Sequence, residues 1–477
     1  MFDILHVGHI LYFKDAKKNK KKLIVSVTSD KFVNKGEGRP IFNIHERIKI
    51  LDSIDCIDHI VISNNYSAIN IIKALRPNYY IKGKDYIDSK LDLNKQLSSE
   101  VAAVKSVNGK FINSKTQLYS SSKIIGKYNN DVIKDNDINQ FLKKNINLEK
   151  LKQKIIKNFS NINKKEKILC IGDPIIDTYK YVETLGKSAK SNILSSKKIS
   201  EKSYGGGIFL VMNYLSNFLK NIDYLGYTNP ENETKIKKYL SKNINLIKVK
   251  SKYIKIINKI RFVDNYSKNK LFQVNENEYS KKNKDQSKSK KFKSIVNKYD
   301  KVLIFDFGHG HVNDYLVKEI IKHKNKCYIN CQSNSSNFGF NLFDKYKSAN
   351  SISVDELEFR LSARNRFDKI QNILNSNKKL VSKFNNFIVT QGKNGCYIKN
   401  SNKLNFIPTL IKQPRDSTGC GDIFFATFLL TKIYKNFNVN EAGIISHLAA
   451  GLHTKKEGNA NIITKNILCN YAKIYLN

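Results

Sequence analysis

The order of hydrophobic and polar positions divides the chain into two stretches in which strand patterns alternate with helix patterns. The first stretch, residues 1–126, contains three short apolar runs typical of buried strands and two segments with apolar residues at helical spacing. Strands that alternate with helices predict a parallel sheet covered on both faces. The predicted strands are Leu23–Asp30, His59–Ser63 and Tyr79–Gly83, and the predicted helices are His45–Ile54 and Ala68–Leu75.

The second stretch, residues 167–477, shows the same alternation and predicts a second α/β domain. Residues 276–300 within it are mostly charged and predict an exposed helix and loop. Residues 127–166 are rich in Lys and Asn and contain neither Gly nor Pro, so we interpret them as a linker that includes a helix. The clearest strands of the second stretch are Lys167–Asp173, Lys301–Gly308, Cys327–Gln332 and Asn386–Gly392.

Length and composition agree with two domains. A chain of 477 residues is too long for one ordinary core, and 40% hydrophobic residues suffice for packed interiors. No apolar run reaches the length of a membrane span and no signal-peptide pattern is present, which predicts a cytoplasmic protein. Seven cysteines do not form a disulfide framework. Cys327 and Cys331 would share one face of a strand, where we expect buried free thiols.

The formal net charge of +43 would by itself suggest a nucleic-acid partner. Arginine, the residue best suited to base readout and bidentate phosphate contacts, is nevertheless scarce. Lys, Asn and Ile are abundant throughout, including the linker and the exposed faces. We therefore interpret the charge as a general compositional bias and expect no nucleic-acid or membrane partner. Such a charge would still attract anionic nucleotides and sugar phosphates.

The first candidate for chemistry is the segment FDILHVGH, in which Gly8 lies between His6 and His9. After a strand, this spacing lets the second histidine open a helix, so that both imidazoles can face a phosphate near the helix N-terminus. Imidazoles in that position can stabilise charge on phosphate oxygens during in-line attack. One core and one surface histidine would give the same spacing.

The segments KGEGRP, HER, KGKDY and SSSK follow in an order that closely resembles the cytidylyltransferase-like nucleotidyltransferases. The resemblance covers about residues 1–126 and is strongest to the adenylyltransferase half of bifunctional heptose kinase/heptose-phosphate adenylyltransferases. It implies a Rossmann-like domain in which His6 and His9 stabilise the transition state at the α-phosphate. It also implies nucleotide, phosphate or acceptor contacts by Ser120, Ser121, Ser122, Lys123, Lys35, Arg39 and Lys82, with Arg47 as a further candidate.

One departure from that family concerns the start of the sheet. In the family a complete first strand and a Gly-containing turn precede the FD pair, whereas Met1 directly precedes Phe2 here. The sequence therefore predicts a nucleotidyltransferase domain whose first strand is truncated.

The second candidate for chemistry is DSTGCGD, which runs from Asp416 to Asp422 and precedes an apolar helix. Small residues at a helix N-terminus expose backbone N–H groups to an anion. Asp422 would then lie beside that anion and could take a proton from a hydroxyl that attacks the γ-phosphoryl group. A Gly-rich turn capped by Asp is the alternative without chemistry.

The segment closely resembles the DTxGAGD signature of PfkB-type carbohydrate kinases, with Cys420 in place of the usual Ala. The resemblance covers about residues 167–477 and implies a ribokinase-like α/β fold, with Asp422 as catalytic base and an anion hole at Gly419, Cys420 and Gly421. It further implies ATP-side, sugar-side and magnesium-ordering residues. The ATP-side residues are Thr390, Gly392 and Gly395. The sugar-side residues are Asp173, Asp177, Gly205, Gly206, Gly207 and Asn213. The residues that order magnesium are Asp355 and Glu358.

Basic residues in two further segments could hold a phosphate already present on the sugar. Lys187 and Lys190 lie in LGKSAKSN, and Lys259 and Arg261 lie in KIRFVD. Arg261 stands out because arginine is rare in this chain, whereas the lysines could be ordinary solvated charges. His309 and His311 in FDFGHGHV lack a third ligand at metal spacing, and we expect them in a polar turn near the active site.

The two resemblances together predict a cytoplasmic transferase that makes a nucleoside-diphosphate sugar, similar to ADP-heptose, for surface polysaccharide. The expected partners are a sugar phosphate and a nucleoside triphosphate: ATP, with CTP left open for the transferase, together with magnesium. A homodimer is also left open. The alternatives are a sugar kinase with a non-catalytic nucleotidyltransferase domain, and a regulatory nucleotide-binding or nucleic-acid-binding protein.

Overall fold

The computed structural model describes residues 2–3, 5, 7–18, 22–33, 40–82, 96–114, 136–159, 165–188, 190–277, 283–401, 403–410, 414–460 and 462–476. The helices are α1 (Val7–Lys17), α2 (Ile44–Asp52), α3 (Ile69–Leu75), α4 (Gln96–Ser106), α5 (Asn136–Asn145), α6 (Leu148–Phe159), α7 (Ile208–Leu215), α8 (Pro230–Tyr239), α9 (Ser287–Ile295), α10 (Asp314–Lys322), α11 (Glu356–Ala363), α12 (Ile370–Ser376), α13 (Lys378–Val381), α14 (Cys420–Tyr434), α15 (Val439–His453) and α16 (Lys465–Tyr475). The strands are β1 (Ile24–Thr28), β2 (His59–Ser63), β3 (Tyr79–Lys82), β4 (Lys110–Asn113), β5 (Ile168–Gly172), β6 (Pro174–Lys187), β7 (Leu194–Gly207), β8 (Ile222–Thr228), β9 (Asn245–Lys250), β10 (Ile257–Asp264), β11 (Lys270–Glu276), β12 (Lys301–Asp306), β13 (Cys327–Cys331), β14 (Ala349–Asp355), β15 (Phe384–Thr390), β16 (Cys396–Asn400) and β17 (Lys403–Ile407).

The chain forms two compact units. The first comprises Met1–Val132, Leu148–Ser160 and Asn466–Asn477, and the second comprises Ile133–Asn147 and Asn161–Lys465. The sequence did not predict that the segment between the domains would be shared between the units, or that the last residues of the chain would group with the first unit. The sequence domains 1–126, 127–166 and 167–477 stay a prediction. In the described part of the chain, no helix has both the length and the apolar character needed to cross a membrane.

The strands of the first unit pair in parallel, as the alternation predicted. In the described residues they form two separate two-stranded sheets, β1 with β2 and β3 with β4. Each pair has its own small core. Phe13, Val27 and Leu51 are buried in the first core, and Ile72 and Val104 in the second.

Arg47 in α2 stabilises the first unit and does not face a ligand. Its side chain is completely buried and donates hydrogen bonds to the backbone oxygens of Phe42 and Thr28 and to the carboxylate of Asp30. A buried guanidinium needs this many acceptors to offset its lost hydration. The suggestion that Arg47 contacts phosphate is therefore wrong for this structure.

The second unit is built on a nine-stranded sheet in the order β17-β16-β15-β14-β13-β12-β5-β8-β9. The strands from β15 to β9 in this order are parallel, and β16 and β17 join the other edge in antiparallel register. Every residue of β5 and β13 is buried. This explains why β5 is apolar throughout and β13 is apolar apart from Asn330, because strands covered by helices on both faces do not alternate.

A four-stranded sheet in the order β11-β10-β6-β7 is the other sheet of the second unit. Strands β6 and β7 are each 14 residues long and form an antiparallel hairpin. Gly205–Gly207 end β7 immediately before α7, where the sequence predicted a turn. Asp177 on β6 and Arg261 on the neighbouring β10 lie in this sheet, close to the start of the hairpin.

Residues 276–300 differ from the exposed helix and loop that their charge predicted. Within α9, Lys288 and Phe292 are completely buried. The Nζ atom of Lys288 donates to the backbone oxygen of His311 at 3.1 Å and lies 4.4 Å from the centre of the Tyr227 ring. Burial lowers the pKa of Lys288 to about 7, and attraction to Asp173 opposes that change only in part. Several residues are thus buried in a segment whose composition predicted exposure to solvent, Lys288 among them.

We expect Lys288→Met to raise the free energy of unfolding near pH 7, because an apolar side chain of similar length removes a buried ammonium group. The folded state binds fewer protons at Lys288 than the unfolded state between about pH 7 and the ordinary lysine pKa. Wild-type stability should therefore rise with pH across that window, and the advantage of Lys288→Met should shrink. Urea unfolding followed by circular dichroism at pH 7 and pH 9.5 measures both effects. Lys290→Met, an exposed change on the same helix, is the matched control; an identical pH dependence in both variants would contradict the expectation.

Candidate active site

The DSTGCGD segment folds into a tight turn that ends at the start of α14. Asp416 accepts hydrogen bonds from the backbone N–H groups of Thr418 and Gly458 and from the Nζ atom of Lys270. Burial alone would raise the pKa of Asp416, but these donors lower it to about 2. Gly419 at the N-terminal cap has φ of 76°, and a Cβ atom there would lie 2.8 Å from the Oδ1 atom of Asn459. Glycine is therefore required both by backbone conformation and by space.

Asp422 lies in the first turn of α14 and is buried, with 5% of its surface exposed. Its Oδ1 atom accepts hydrogen bonds from Nδ2 of Asn330 at 2.9 Å and from Nε2 of Gln332 at 2.7 Å. Burial raises the pKa of Asp422 to about 7, and the hydrogen bond from Gln332 is the largest opposing influence. The carboxyl group can therefore change its protonation state near neutral pH, as a general base must.

A cavity of about 580 Å³ opens beside Asp422. The carboxyl ends of β13, β14 and β15 and the N-terminus of α14 form its walls. In an open α/β sheet, this edge is where ligands bind, and a helix N-terminus favours an anion. The structure brings eight predicted site residues together in the lining: Asp355, Glu358, Thr390, Gly392, Gly419, Cys420, Gly421 and Asp422. Gly395 is not in the lining; it has φ of 107° in the turn between β15 and β16.

Asp355 and Glu358 form a capping box at the start of α11. The two oxygens of Glu358 accept hydrogen bonds from the backbone N–H groups of Ser333 and Asp355, at 2.8 and 2.7 Å. Burial, with Asp355 as the next cause, raises the pKa of Glu358 to about 8. Glu358 is thus held by the backbone, whereas Asp355 is exposed in the cavity lining.

Magnesium fits this arrangement only as an ion held mainly by phosphates. The described residues contain no group of three or more His, Cys, Asp or Glu side chains that could hold a metal. Mg²⁺ in kinase sites is commonly bound through one or two carboxylates together with substrate phosphates and water. Asp355 could supply such a carboxylate directly, and Glu358 could act only through Asp355 or water.

Asp177 marks the sugar side predicted by the resemblance. It forms an ion pair with Arg261, and its Oδ2 atom accepts a hydrogen bond from Nδ2 of Asn459 at 2.7 Å. A Cβ atom on Gly206 would lie 2.0 Å from that Oδ2 atom, so only glycine leaves room for the carboxylate. Arg261 also stacks over the ring of Tyr179 at 5.4 Å. The structure therefore brings Asp177, Gly206 and Arg261 together.

Asp173 does not face a ligand, contrary to its predicted sugar contact. It is completely buried and its two oxygens accept hydrogen bonds from the backbone N–H groups of Phe307 and His311. Burial, with Asp306 as the next cause, raises the pKa of Asp173 to about 6. Asp173 therefore holds the turn after β12. That turn carries His309 and His311, both buried, whose pKa values are lowered by burial.

Two further predicted substrate residues lie elsewhere. Lys187 is exposed at the end of β6, ten residues beyond Asp177 and therefore about 30 Å along the strand. Asn213 donates to the backbone oxygen of Tyr239 and accepts from the backbone N–H of Ser241. Its amide is occupied in linking α7 to the end of α8, so it is not available to a sugar.

Lys259 on β10 is the lysine that lies near the carboxylates. Burial lowers its pKa, while Asp177, Asp173 and Asp422 act on it in the opposite direction. No hydrogen bond or ion pair of Lys259 is found in the described part of the chain. It is therefore the described cation best placed to meet a negatively charged acceptor.

In the first unit, the structure describes two predicted site residues besides Arg47. His9 is the third residue of α1, as expected for a histidine that opens a helix, and its ring contacts Phe2 edge-on at 5.4 Å. Lys82 ends β3 and forms an ion pair with Glu100. The other predicted residues of this site lie outside the described residues: His6, Lys35, Arg39, Ser120, Ser121, Ser122 and Lys123.

The sequence patterns did not identify the residues that hold the carboxyl groups of Asp422 and Asp177. Asn330 and Gln332 lie in the segment CYINCQ, on the face of the strand opposite to Cys327 and Cys331. Both cysteines are free and buried. A polar pair two residues apart at the end of an otherwise apolar strand was the available signal. Asn459, which contacts Asp177, comes from a distant loop and had no local signal.

Comparison with known families assigns both parts of the chain. The cytidylyltransferase-like family matches residues 1–127, and the pfkB family of carbohydrate kinases matches residues 165–466. Bifunctional protein HldE of Aliarcobacter butzleri is 38% identical over 111 residues, 23% of this chain and 23% of that protein. HldE of Helicobacter pylori strain J99 is 34% identical over 128 residues, 26% of each chain. These matches concern the N-terminal part, so the chain spans about a quarter of the relatives it matches.

Solved structures resemble the second unit in fold alone. Ribokinase from Thermotoga maritima aligns with a TM-score of 0.50 and 15% identity, covering 65% of this chain and 99% of that protein. Arabidopsis thaliana ribokinase, solved with ribose and ATP, gives a TM-score of 0.50 and 14% identity with the same coverage. The match over residues 165–466 covers most of the chain. The chain therefore belongs to the pfkB family of carbohydrate kinases, with a cytidylyltransferase-like domain at its N-terminus.

Proposed function

We propose that the chain is a bifunctional enzyme that phosphorylates a sugar phosphate and then joins the product to a nucleotide. The observation that supports the kinase step is the position of Asp422, a buried carboxylate beside Gly419–Gly421 in a cavity open to a nucleotide. The product would be a nucleoside-diphosphate sugar similar to ADP-heptose, for surface polysaccharide. ATP is the phosphoryl donor, and either ATP or CTP serves the transferase.

In the kinase step, Asp422 accepts the proton of the acceptor hydroxyl. The hydroxyl oxygen forms a bond to the γ-phosphorus as the bond to the β–γ bridging oxygen breaks, and the nucleoside diphosphate leaves. The backbone N–H group of Gly421 at the start of α14 can receive the charge of the transferred group, whereas that of Cys420 donates to the backbone oxygen of Ser417 at 3.2 Å. Magnesium, when bound with the nucleotide, supplies neutralisation of the phosphate charge.

On the acceptor side, Asp177 and Arg261 are candidates to bind sugar oxygens, and Lys259 is a candidate for a phosphate already on the sugar. Arg261 and Asn459 fix the carboxylate of Asp177, so that little rearrangement is needed on binding. Lys259 and Arg261, two cations on β10, support an acceptor that carries negative charge over a neutral sugar. Lys187, which the sequence suggested, is too distant to contribute.

The N-terminal step would use His6 and His9 to stabilise transfer of a nucleotidyl group to the new sugar phosphate, with release of pyrophosphate. The match of residues 1–127 to the cytidylyltransferase-like family and the place of His9 in α1 support this proposal. A sugar kinase with a non-catalytic N-terminal domain is the second candidate. The described residues of the first unit form two separate two-stranded sheets, and this favours the second candidate.

Asp422→Asn should lower kcat of the kinase step by about 10³-fold, because an amide cannot accept the proton of the acceptor. The melting temperature should not fall, since the amide removes a buried charge while retaining the shape of the side chain. Coupled measurement of ADP release with D-ribose, fructose 6-phosphate and D-glycero-D-manno-heptose 7-phosphate tests this. Asp368→Asn, an exposed change, should retain wild-type rates; comparable activity of the two variants would refute the role of Asp422.

The kinase rate should depend on pH through the protonation of Asp422. Since the base must be ionised, kcat/KM should fall tenfold per pH unit below an apparent pKa of about 7 and level off above it. Initial rates between pH 5.5 and 9 at saturating magnesium and ATP measure the profile. A rate that is flat down to pH 5.5 would show that no group with a raised pKa acts as the base.

Mass spectrometry of the products distinguishes the kinase activity from the nucleotidyltransferase activity. With ATP, CTP and the three acceptors, wild type should form a nucleoside-diphosphate sugar from the accepted sugar phosphate. His9→Ala should accumulate the doubly phosphorylated sugar and form little nucleoside-diphosphate sugar, whereas Asp422→Asn should form neither. If wild type stops at the doubly phosphorylated sugar, the second candidate is correct.

A further inference from the structure

We propose that Asn330 and Gln332 are positioning residues that orient the carboxylate of Asp422, holding Oδ1 so that Oδ2 is directed to the acceptor hydroxyl. The inference rests on the proposed kinase function and assigns a role to two residues on another element of the fold. Neither residue belongs to the signature segment that contains Asp422. Both line the cavity beside Asp422.

The two amides reach Asp422 because of the geometry of β13. Asn330 lies within the strand and Gln332 immediately follows it, so their side chains point to the same face. The donor–acceptor distances to Oδ1 are 2.9 and 2.7 Å, within the range of good hydrogen bonds. Asn330 is itself buried, with 3% of its surface exposed. The strand thus presents a preformed pair of N–H donors to one oxygen atom.

This pattern makes the two carboxylate oxygens inequivalent. A carboxylate held by no donor, or by one donor on each oxygen, has no preferred oxygen for accepting a proton. Here two hydrogen bonds converge on Oδ1, and the described residues provide no hydrogen bond to Oδ2. The carboxylate cannot exchange its oxygens by rotation without breaking both bonds. Oδ2 therefore remains the oxygen for the reacting hydroxyl, and the proton-accepting geometry exists before the substrate binds.

The amides also adjust the acidity of the base. Asp422 is approached by Asp177 from β6, Lys259 from β10, Glu358 from α11 and Cys420 from its own helix. Burial raises the pKa of Asp422 and the two amides oppose it. Because Asn330 and Gln332 are neutral, they stabilise the anion without forming an ion pair that would abolish its basicity. Loss of either donor should raise the pKa of Asp422, so that its carboxylate is protonated at higher pH.

The test compares Gln332→Leu and Asn330→Leu with wild type in the pH dependence of kcat/KM. Each variant should shift the acid limb upward by about one pH unit, the usual effect of one hydrogen bond to a charged group. At pH 7 kcat should fall about fivefold, while KM for ATP changes less than twofold. Gln332 is only half-buried, so its variant should fold even if Asn330→Leu does not.

Asn386→Leu is the matched control, since Asn386 is a buried amide in the same sheet that donates to Ser351 and does not contact Asp422. It should lower the melting temperature without moving the acid limb. An acid limb that stays at the wild-type pH in Gln332→Leu, with rates reduced equally at every pH, would overturn the positioning role.

Infrared difference spectroscopy gives a readout that needs no acceptor. Titration of the carboxyl C=O stretch, assigned by its loss in Asp422→Asn, should show protonation at a higher pH in Gln332→Leu than in wild type. Unchanged titration would contradict the inference even if no acceptor were found. Conversely, shifted titration in a protein that phosphorylates none of the three acceptors would support the inference and count against the proposed function.

Discussion

The second unit depends on one constraint: a carboxylate must remain ionisable while buried at the start of a helix. Removing Asp422 from water disfavours its charged form and raises its pKa to about 7. The N-terminus of α14, the amides of Asn330 and Gln332, and the nearby Lys259 offset that penalty without a direct ion pair. The outcome is a group that can be ionised near neutral pH and is still basic enough to accept a proton. The turn before Asp422 is held by Asp416 and Gly419, which fix where α14 begins.

The parallel sheet explains why the required groups meet. Strands β13, β14 and β15 are neighbours, and their carboxyl ends deliver Gln332, Asp355 and Thr390 to a common edge. The other sheet adds Asp177, Lys259 and Arg261 from two adjacent strands. A polar cleft is thus assembled from short segments far apart in sequence. Each of them is positioned by a strand of one of the two sheets.

Local patterns were enough to predict the alternation of strands and helices, the two families and the turn at Asp422. They could not identify which polar residues face the cleft, because that depends on strand register and on contacts between distant segments. Lys187 and Lys259 were equal candidates from the sequence, yet of the two only Lys259 lies near the carboxylates of Asp177 and Asp422. Asp173 and Asp177 are four residues apart, yet one is completely buried under backbone donors and the other lies between Arg261 and Asn459. Lys288 looked solvated because its neighbours are charged, and only the packing of α9 shows that it is buried.

We propose that the start of α14 binds the transferred phosphate beside Asp422, whose carboxylate accepts a proton. A crystal structure of the full chain with a non-hydrolysable ATP analogue and magnesium tests this most directly. We expect the γ-phosphate within hydrogen-bond distance of the backbone N–H group of Gly421, with Oδ1 of Asp422 still bound to Asn330 and Gln332 and Oδ2 open to the acceptor side. A γ-phosphate bound away from α14, or a nucleotide that leaves this cavity empty, would contradict it.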